Sequence, residues 1–526
     1  MPRLERQNGT TQLIVDGKPF LARGGELENS SASSLAYMDT IWPKVVAMRF
    51  NTLLAPVYWQ LIEPRPGEFD FKTVDGLLSG ARAHKVRLVL LWFGTWKNSM
   101  SCYVPDWIKR DEGQFPRAQR TDGSSMEILS ALGPETLRAD AAAFAALMKH
   151  LRQIDSANRT VIMVQVENEV GIIPEARDHG SLANAAFASP VPAALTDYLV
   201  KNRDSLAPQL KSAWESHGSK IGANWADTFG AGPATDELFT AWTEGHFTGQ
   251  VAAAGKAAYP LPMYVNAALV RPGRLPGQYP SGGPLPHLFD VWHAAAPDID
   301  FLAPDLYFPN FVEWAKQYVR PDNPLFIPET GRVNAAEMSA NALYAYGALN
   351  SMGFSVYAPE FLKKEEQQVL GDAYALIDQL TPLILASQGT GRLVGIRAPS
   401  SFEGTVDLSP QQFSLGDYTF NIRFTQPHPV SIGAKGEIEI PGAHGGLVIQ
   451  LAPDEFLVAG TGMVMTFATR SDKANAGIDS IWEGSFVNGV WVSVRNLNGD
   501  DDNQGRYLQM PPDKFVIRRV RLYQYH

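Results

Sequence analysis

Among 526 residues there is one cysteine, Cys102. A single thiol closes no internal disulfide and excludes zinc sites built from several cysteines. No stretch approaches the ~18 uninterrupted apolar residues that a membrane-spanning helix needs, so membrane insertion is not expected. The opening residues, MPRLERQNGTTQ, contain no apolar core of the signal-peptide type. The expected compartment is the periplasm or the exterior with the leader absent from this chain, and otherwise the cytoplasm. Basic charge is scarce too: 45 Lys and Arg against 55 Asp and Glu leave a formal charge of −10. With no basic cluster to reverse that balance, nucleic acid and anionic membrane surfaces are poor partners. Several motifs are missing: G-x-G-x-x-G after the first candidate strand, H-E-x-x-H, and the G-x-S-x-G elbow. Neither a metal nor an organic cofactor is expected, and nothing in the sequence specifies an oligomeric state.

What is present is ordinary globular composition, 45% hydrophobic and 19% charged, with 10% aromatic residues including 12 Trp. The length allows more than one core. From about residue 20 to 390, eight short apolar runs alternate with amphipathic stretches. The runs are FLARGG (20–25), TLLAPVYW (52–59), VRLVLLW (86–92), VIMVQV (161–166), MYVNAAL (263–269), FLAPDLY (301–307), LFIPE (325–329) and FSVYAP (354–359). Residues 135–154 put Leu137, Ala141, Phe144, Leu147 and Leu151 on one helical face, just after Pro134. Residues 335–350 do the same with Met338, Ala342, Ala345 and Leu349. Strands apolar throughout are buried on both faces, and eight β-then-α units predict a (β/α)8 TIM barrel over 1–388. Beyond GTGRLVG (389–395), a junction, helical periodicity stops and short strand-like runs such as YTFNIRF, GLVIQLA and FVIRRVRLYQY recur between turn residues. Residues 389–526 therefore read as a C-terminal all-β, sandwich-like domain. The acidic stretch NLNGDDDNQG (496–505) reads as a solvated turn; Asp500 to Asp502 lack the terminal Glu of an EF-hand calcium loop.

A barrel of this type carries its chemistry at the C-terminal ends of its strands. Strand four, VIMVQVENEVG, ends in Glu167, Asn168 and Glu169; strand seven ends in Glu329. Strand six ends in Asp305 and Tyr307, strand two in Tyr58-Trp59-Gln60, and Glu26 follows strand one. Strand three enters a loop holding Trp96, Lys97 and Asn98. Carboxylates on opposed strands, among aromatics and amides, suit glycoside hydrolysis. One acid protonates the leaving oxygen and a second carboxylate serves the anomeric carbon. Each feature also has an ordinary reading. A single Glu at a strand end is most often solvated, and Trp more often packs than stacks on sugar. Trp96, beside Lys97 and Asn98, is expected to be the exception.

Three segments carry a family resemblance. QVENEVG (165–171) matches Q-[VI]-E-N-E-Y-G, with Val170 in place of Tyr. WQLIEPRPGEFDF (59–71) is similar to W-N-x-H-E-P-x-x-G-x-[YF]-x-F, with Gln60 and Ile62 as departures. FIPETG (326–331) fits a nucleophile segment by position. Over about residues 10–360 the chain resembles the β-galactosidases of glycoside hydrolase family 35, retaining (β/α)8 enzymes. The resemblance implies Glu169 as acid/base, Glu329 as nucleophile, Asn168 on the sugar 2-hydroxyl and Tyr307 orienting the nucleophile. It gives Glu167 no catalytic role, and a buried support is expected there. The family's strand-three motif is replaced by LLWFGTWKNSM, which implies a divergent, bacterial branch. Trp96, Lys97, Asn98, Glu26 and Tyr58 are the expected substitute contacts. The implied activity is an exo-acting retaining β-galactosidase on a carbohydrate substrate. The alternatives are another retaining β-glycosidase of the same clan and a non-catalytic carbohydrate-binding protein.

Overall fold

Eight parallel strands order the first part of the chain: β1 (Ala22–Glu26), β2 (Thr52–Tyr58), β3 (Arg87–Lys97), β4 (Val161–Asn168), β5 (Met263–Ala268), β6 (Phe301–Leu306), β7 (Glu329–Thr330) and β8 (Gly353–Tyr357). The computed structural model describes residues 1–427, 437–471, 473–499, 502, 505–512 and 514–526. The sheet runs in chain order from β1 to β7, with β8 paired to β1. Ile327, just ahead of β7, bridges Phe354 of β8 in parallel, so the barrel is nearly closed. A helix follows each strand: α1 (Leu35–Ala47), α2 (Lys72–Ala83), α3 (Pro134–Asp155), α4 (Pro233–Ala258), α5 (Phe289–Ala295), α6 (Phe311–Gln317), α7 (Ala335–Ala348) and α8 (Lys364–Ser387). Strands β2 and β4 are buried at every position. One set of their side chains fills the barrel and the other meets the helices, which is why these strands read as unbroken apolar runs.

Three elements differ from expectation. β7 is only two residues long, because Pro328 has no N–H for the ladder. β3 does not end at Trp92 but continues to Lys97. Its pairing with β4 jumps from Trp92↔Val166 to Lys97↔Asn168, so a bulge of extra β3 residues arches over Glu167. α7 is buried nearly all round rather than on one face, because it lies between the barrel and the β domain: Arg397 hydrogen-bonds Asn341 and pairs with Glu337. A three-stranded antiparallel meander (Arg3–Gln7, Thr10–Val15, Lys18–Phe20), not anticipated, precedes the barrel and is tied to α8 by Gln12 Nε2 donating to Leu385 O.

From Leu393 the chain forms a six-stranded and a four-stranded antiparallel sheet. Between them Tyr418, Phe420, Phe456 and Met465 form a second core. The other face of the larger sheet places Leu447, Ile449, Leu457 and Ile517 in the core shared with the barrel. In NLNGDDDNQG, Asp500 and Asp501 lie outside the described residues. Asp502 is not solvated: it is fully buried and accepts from Gln509 N at 2.8 Å and Arg518 Nη1 at 3.4 Å. Among the described residues one helix, α8, is long and apolar enough to cross a membrane by length and composition, with mean hydropathy 1.3. Its buried residues, Tyr374 and Ile377 among them, belong to the barrel's core.

Candidate active site

The end of β4 breaks its own periodicity. Glu167 (φ +61°) and Glu169 (φ +42°) both adopt left-handed backbone around Asn168, a conformation that costs on the order of 1–3 kcal/mol per residue. In a regular strand residues two apart point to one face. Here the two glutamates enter different surroundings.

Glu167 goes inward. Its carboxylate accepts from the backbone N–H of Thr95 (3.2 Å) and Trp96 (2.6 Å), the arched part of β3. Beside it, Asp140 of α3 accepts from Trp92 Nε1 (2.8 Å), Thr95 N (3.0 Å) and Thr95 Oγ1 (2.5 Å). Burial, then the Asp140 charge, pushes the Glu167 carboxyl well above the usual carboxylate range. Asp140, with its three donors, is the better-supplied anion, and Glu167 carries the proton between them. Glu167 is thus buried and hydrogen-bonded to the arch of β3.

Glu169 goes to the barrel mouth. One oxygen each from Glu169, Asp305 and Glu329 lie within 4.8 Å of one another. Glu329 accepts from Tyr307 Oη (2.5 Å), Asn266 Nδ2 (3.2 Å) and Asn168 Nδ2 (3.4 Å). Asn266 of β5 is the hub: it also donates to Asp305 Oδ2 (2.7 Å) and accepts from the Glu169 N–H (2.9 Å). Lys97 Nζ reaches Asn168 Oδ1 at 2.7 Å and also contacts Asn98 Oδ1. Arg332 lies over the Tyr307 ring, 5.3 Å from its centre.

The electrostatics follow from packing like charges out of water. Burial, then the Glu329 charge, raises Glu169 to about 7, against the pull of Lys97 and Arg332. Burial and Glu329 raise Asp305 and Glu26 well above the ordinary range. Glu169 and Glu26 add to the rise at Asp305, and Glu169 adds to the rise at Glu26. Three hard oxygen donors could also accept a divalent cation. The N–H and O–H donors already aimed at Glu329 and Asp305 instead suit a network of anions and shared protons.

A cleft of about 510 Å³ opens above this group, lined by Lys97, Asn98, Glu169, Asp305, Tyr307 and Glu329 among others. Glu169 retains 9% of its surface, more than Glu329 at 3% and Asp305 at 1%. Of the expected contacts, Lys97, Asn98 and Tyr307 line the cleft, and Asn168 lies just beneath it. Glu26 is fully buried behind Glu329 rather than on the rim. Glu26 is thus no cleft contact, and two further expectations are corrected. Trp96 is no sugar platform: it is 1% exposed, packs on Phe247 and donates to Leu129 O, because β3 continues through it as strand. Tyr58 does not line the cleft either: it is buried against Phe93 and Tyr103 and donates to Asn29 O. Sequence reasoning listed Asp305 among the strand-end residues without a specific role and did not single out Asn266, Arg332 or Tyr357. A polar residue inside the apolar run MYVNAAL was the available signal for Asn266.

A family model described as a domain of unknown function (DUF5597) matches residues 370–509, from within α8 into the β domain. A β-galactosidase of Xanthomonas manihotis is 28% identical over 178 residues. That match takes in 33% of this chain and spans about a quarter of the relative, 27% of its length. Among solved structures, a β-galactosidase from Rahnella sp. R3 aligns over 69% of this chain and 57% of its own, at TM-score 0.47 and 14% identity. The catalytic domain of a β-amylase from Paenibacillus polymyxa aligns over 68% and 98%, at 0.47 and 11%. An exo-β-1,4-mannosidase from Opitutaceae bacterium strain TAV5 aligns over 67% and 54%, at 0.38 and 15%.

Proposed function

We propose that the protein is a retaining glycoside hydrolase whose glycosyl group is β-D-galactose, cut from the non-reducing end of an oligo- or polysaccharide. The observation that carries the reading is the approach of Glu169 and Glu329 within 4.8 Å. Retaining enzymes hold their two carboxyls about 5–5.5 Å apart, whereas inverting ones leave about 6.5–9.5 Å for a water. Glu329, supplied with three donors, attacks the anomeric carbon and forms the glycosyl-enzyme bond. Glu169 gives its proton to the departing oxygen, then takes one from the water that breaks the ester, with retention. Once Glu329 is esterified its charge no longer raises Glu169, which becomes the stronger acid as it turns from donor to base. Asn168 offers its amide to the sugar 2-hydroxyl, and Tyr307 aligns Glu329. The similarity to the Xanthomonas manihotis β-galactosidase and the strand-four and strand-seven segments support family 35 and galactose. The replaced strand-three segment, with Trp96 buried, favours a second reading, a different β-glycoside.

A survey of nitrophenyl β-glycosides separates the two: turnover of another sugar without turnover of the galactoside sinks the first. A 2-fluoro-glycosyl inactivator followed by peptide mass mapping tests the nucleophile. Label on the peptide containing Glu329 is expected; label elsewhere overturns the assignment. No turnover of any glycoside, with sugar still bound, would favour a non-catalytic carbohydrate-binding protein.

A further inference from the structure

The reaction cleft is not the largest cavity. A groove of about 1020 Å³ lies between α6 and the segments at Ser205–Gln209 and Leu285–His287. The two differ in chemistry. The cleft is lined mainly by charged and polar side chains, the groove mainly by apolar ones such as Leu206, Pro208, Val270, Leu285, Pro286 and Trp314. Of the charged residues in the groove wall, Glu237, His287, Arg320 and Asp322 are paired within the protein, and Arg274 also lines it. Glu237 binds His287 Nε2 at 3.0 Å, and Arg320 pairs with Asp290 (3.0 Å) and Asp322 (2.9 Å). These pairs place little demand on a ligand for hydrogen bonds, so the wall offers apolar contact.

The two spaces have no lining residue in common, but their walls are neighbours. Leu269 lines the cleft and the next residue, Val270, lines the groove. Phe308 lines the cleft, and its ring centre is 6.5 Å from that of Trp314, which lines the groove. We infer that the groove receives an apolar leaving group, an alkyl or aryl aglycone, of the glycoside whose sugar occupies the cleft. A substrate polar at one end and apolar at the other fits both compartments at once. A polysaccharide leaving group would bring its hydroxyls to a wall that is mainly apolar. The inference rests on the glycosidase reading for its sugar end and on the groove's own lining for its apolar end.

The test uses the full chain and two series of one sugar, the one chosen by the nitrophenyl survey, or galactose if none is chosen. Non-hydrolysable methyl to hexyl 1-thio-β-glycosides, below micelle-forming concentration, are measured by calorimetry. The matching O-glycosides are measured by kcat/KM. Affinity is expected to rise along the series by roughly three- to fourfold per methylene that enters the groove. Val270→Asp and Trp314→Ala should flatten both series and leave the methyl compound unchanged. A flat series in the unaltered protein overturns the proposal, as does an equal loss for methyl and hexyl compounds in both variants. Absence of hydrolysis with a steep binding series would sink the glycosidase reading and keep the groove.

Discussion

The barrel mouth and the β domain both bury charge, but in opposite ways. In the β domain Arg518, 5% exposed, sits between Asp502 and Glu483 and reaches the Gln509 carbonyl. Burial raises Glu483, but Arg495 and Arg518 pull it below the ordinary range. Opposite signs meet there, and the result is a scaffold. At the barrel mouth Glu26, Glu169, Asp305 and Glu329 share one space with mainly Lys97 and Arg332 to offset them. Like charges held together raise proton affinity. Such an arrangement costs stability, and acid–base chemistry is one use for it.

The sharpest way to break this contrast is at the two ends of it. Glu329→Gln should lower kcat by at least ~10⁴-fold with folding retained, read by steady-state kinetics beside circular dichroism. Full activity would mean that the acidic group is not a reaction centre. Arg518→Met should do the reverse. Removing the buried guanidinium from between Asp502 and Glu483 should cost about 3–5 kcal/mol in urea unfolding, with kcat unchanged. If its kcat fell while stability held, the two regions would not be separable.

The pH dependence sharpens the comparison further. Glu169 must be protonated to act as acid, so kcat/KM should fall about tenfold per unit as pH rises above about 7. In Glu329→Gln the like charge is gone, and the Glu169 titration, followed by infrared, should move to lower pH. A pH profile flat to pH 9 would remove Glu169 from the proton-donor role.

Glu26 tests the same physics through stability. Its folded-state pKa is raised, so between the unfolded value of about 4.3 and the higher folded value the native chain binds the extra proton. Stability from this group is thus present in acid and lost as pH rises through that window. Glu26→Gln should unfold with a shallower loss between pH 5 and pH 8 than the unaltered protein; an identical slope would show that Glu26 is not strained by its neighbours. The smallest effect is expected from Trp96→Phe, which loses one hydrogen bond to Leu129 O, about 1 kcal/mol. Its KM should stay level, whereas a sugar platform would lose affinity.

Barrel and β domain were both legible in the sequence because burial on two sides demands unbroken apolar runs, and a half-buried antiparallel sheet demands short ones between turns. The acidic ends of strands four and seven were legible as well, since carboxylates rarely terminate apolar strands for packing reasons. Not legible was the route of β3. A sequence of aromatic and polar residues, FGTWKN, reads as a loop until Glu167 and Asp140 supply the acceptors that hold Thr95 and Trp96 in place.

By itself, then, the sequence determined the order of elements, the strand-end acids and, through a family pattern, which of Glu167 and Glu169 to expect at work. The tertiary structure alone decided that the two part company, one toward Asp140 and one toward Asp305 and Glu329. It also placed Asn266 as the hub among them and sent Trp96 into the core. The physical reason is range. Apolar periodicity is a local property of a few consecutive residues. A shifted pKa or a shared proton depends on distances of a few ångströms between groups more than a hundred residues apart, as Glu169 and Glu329 are.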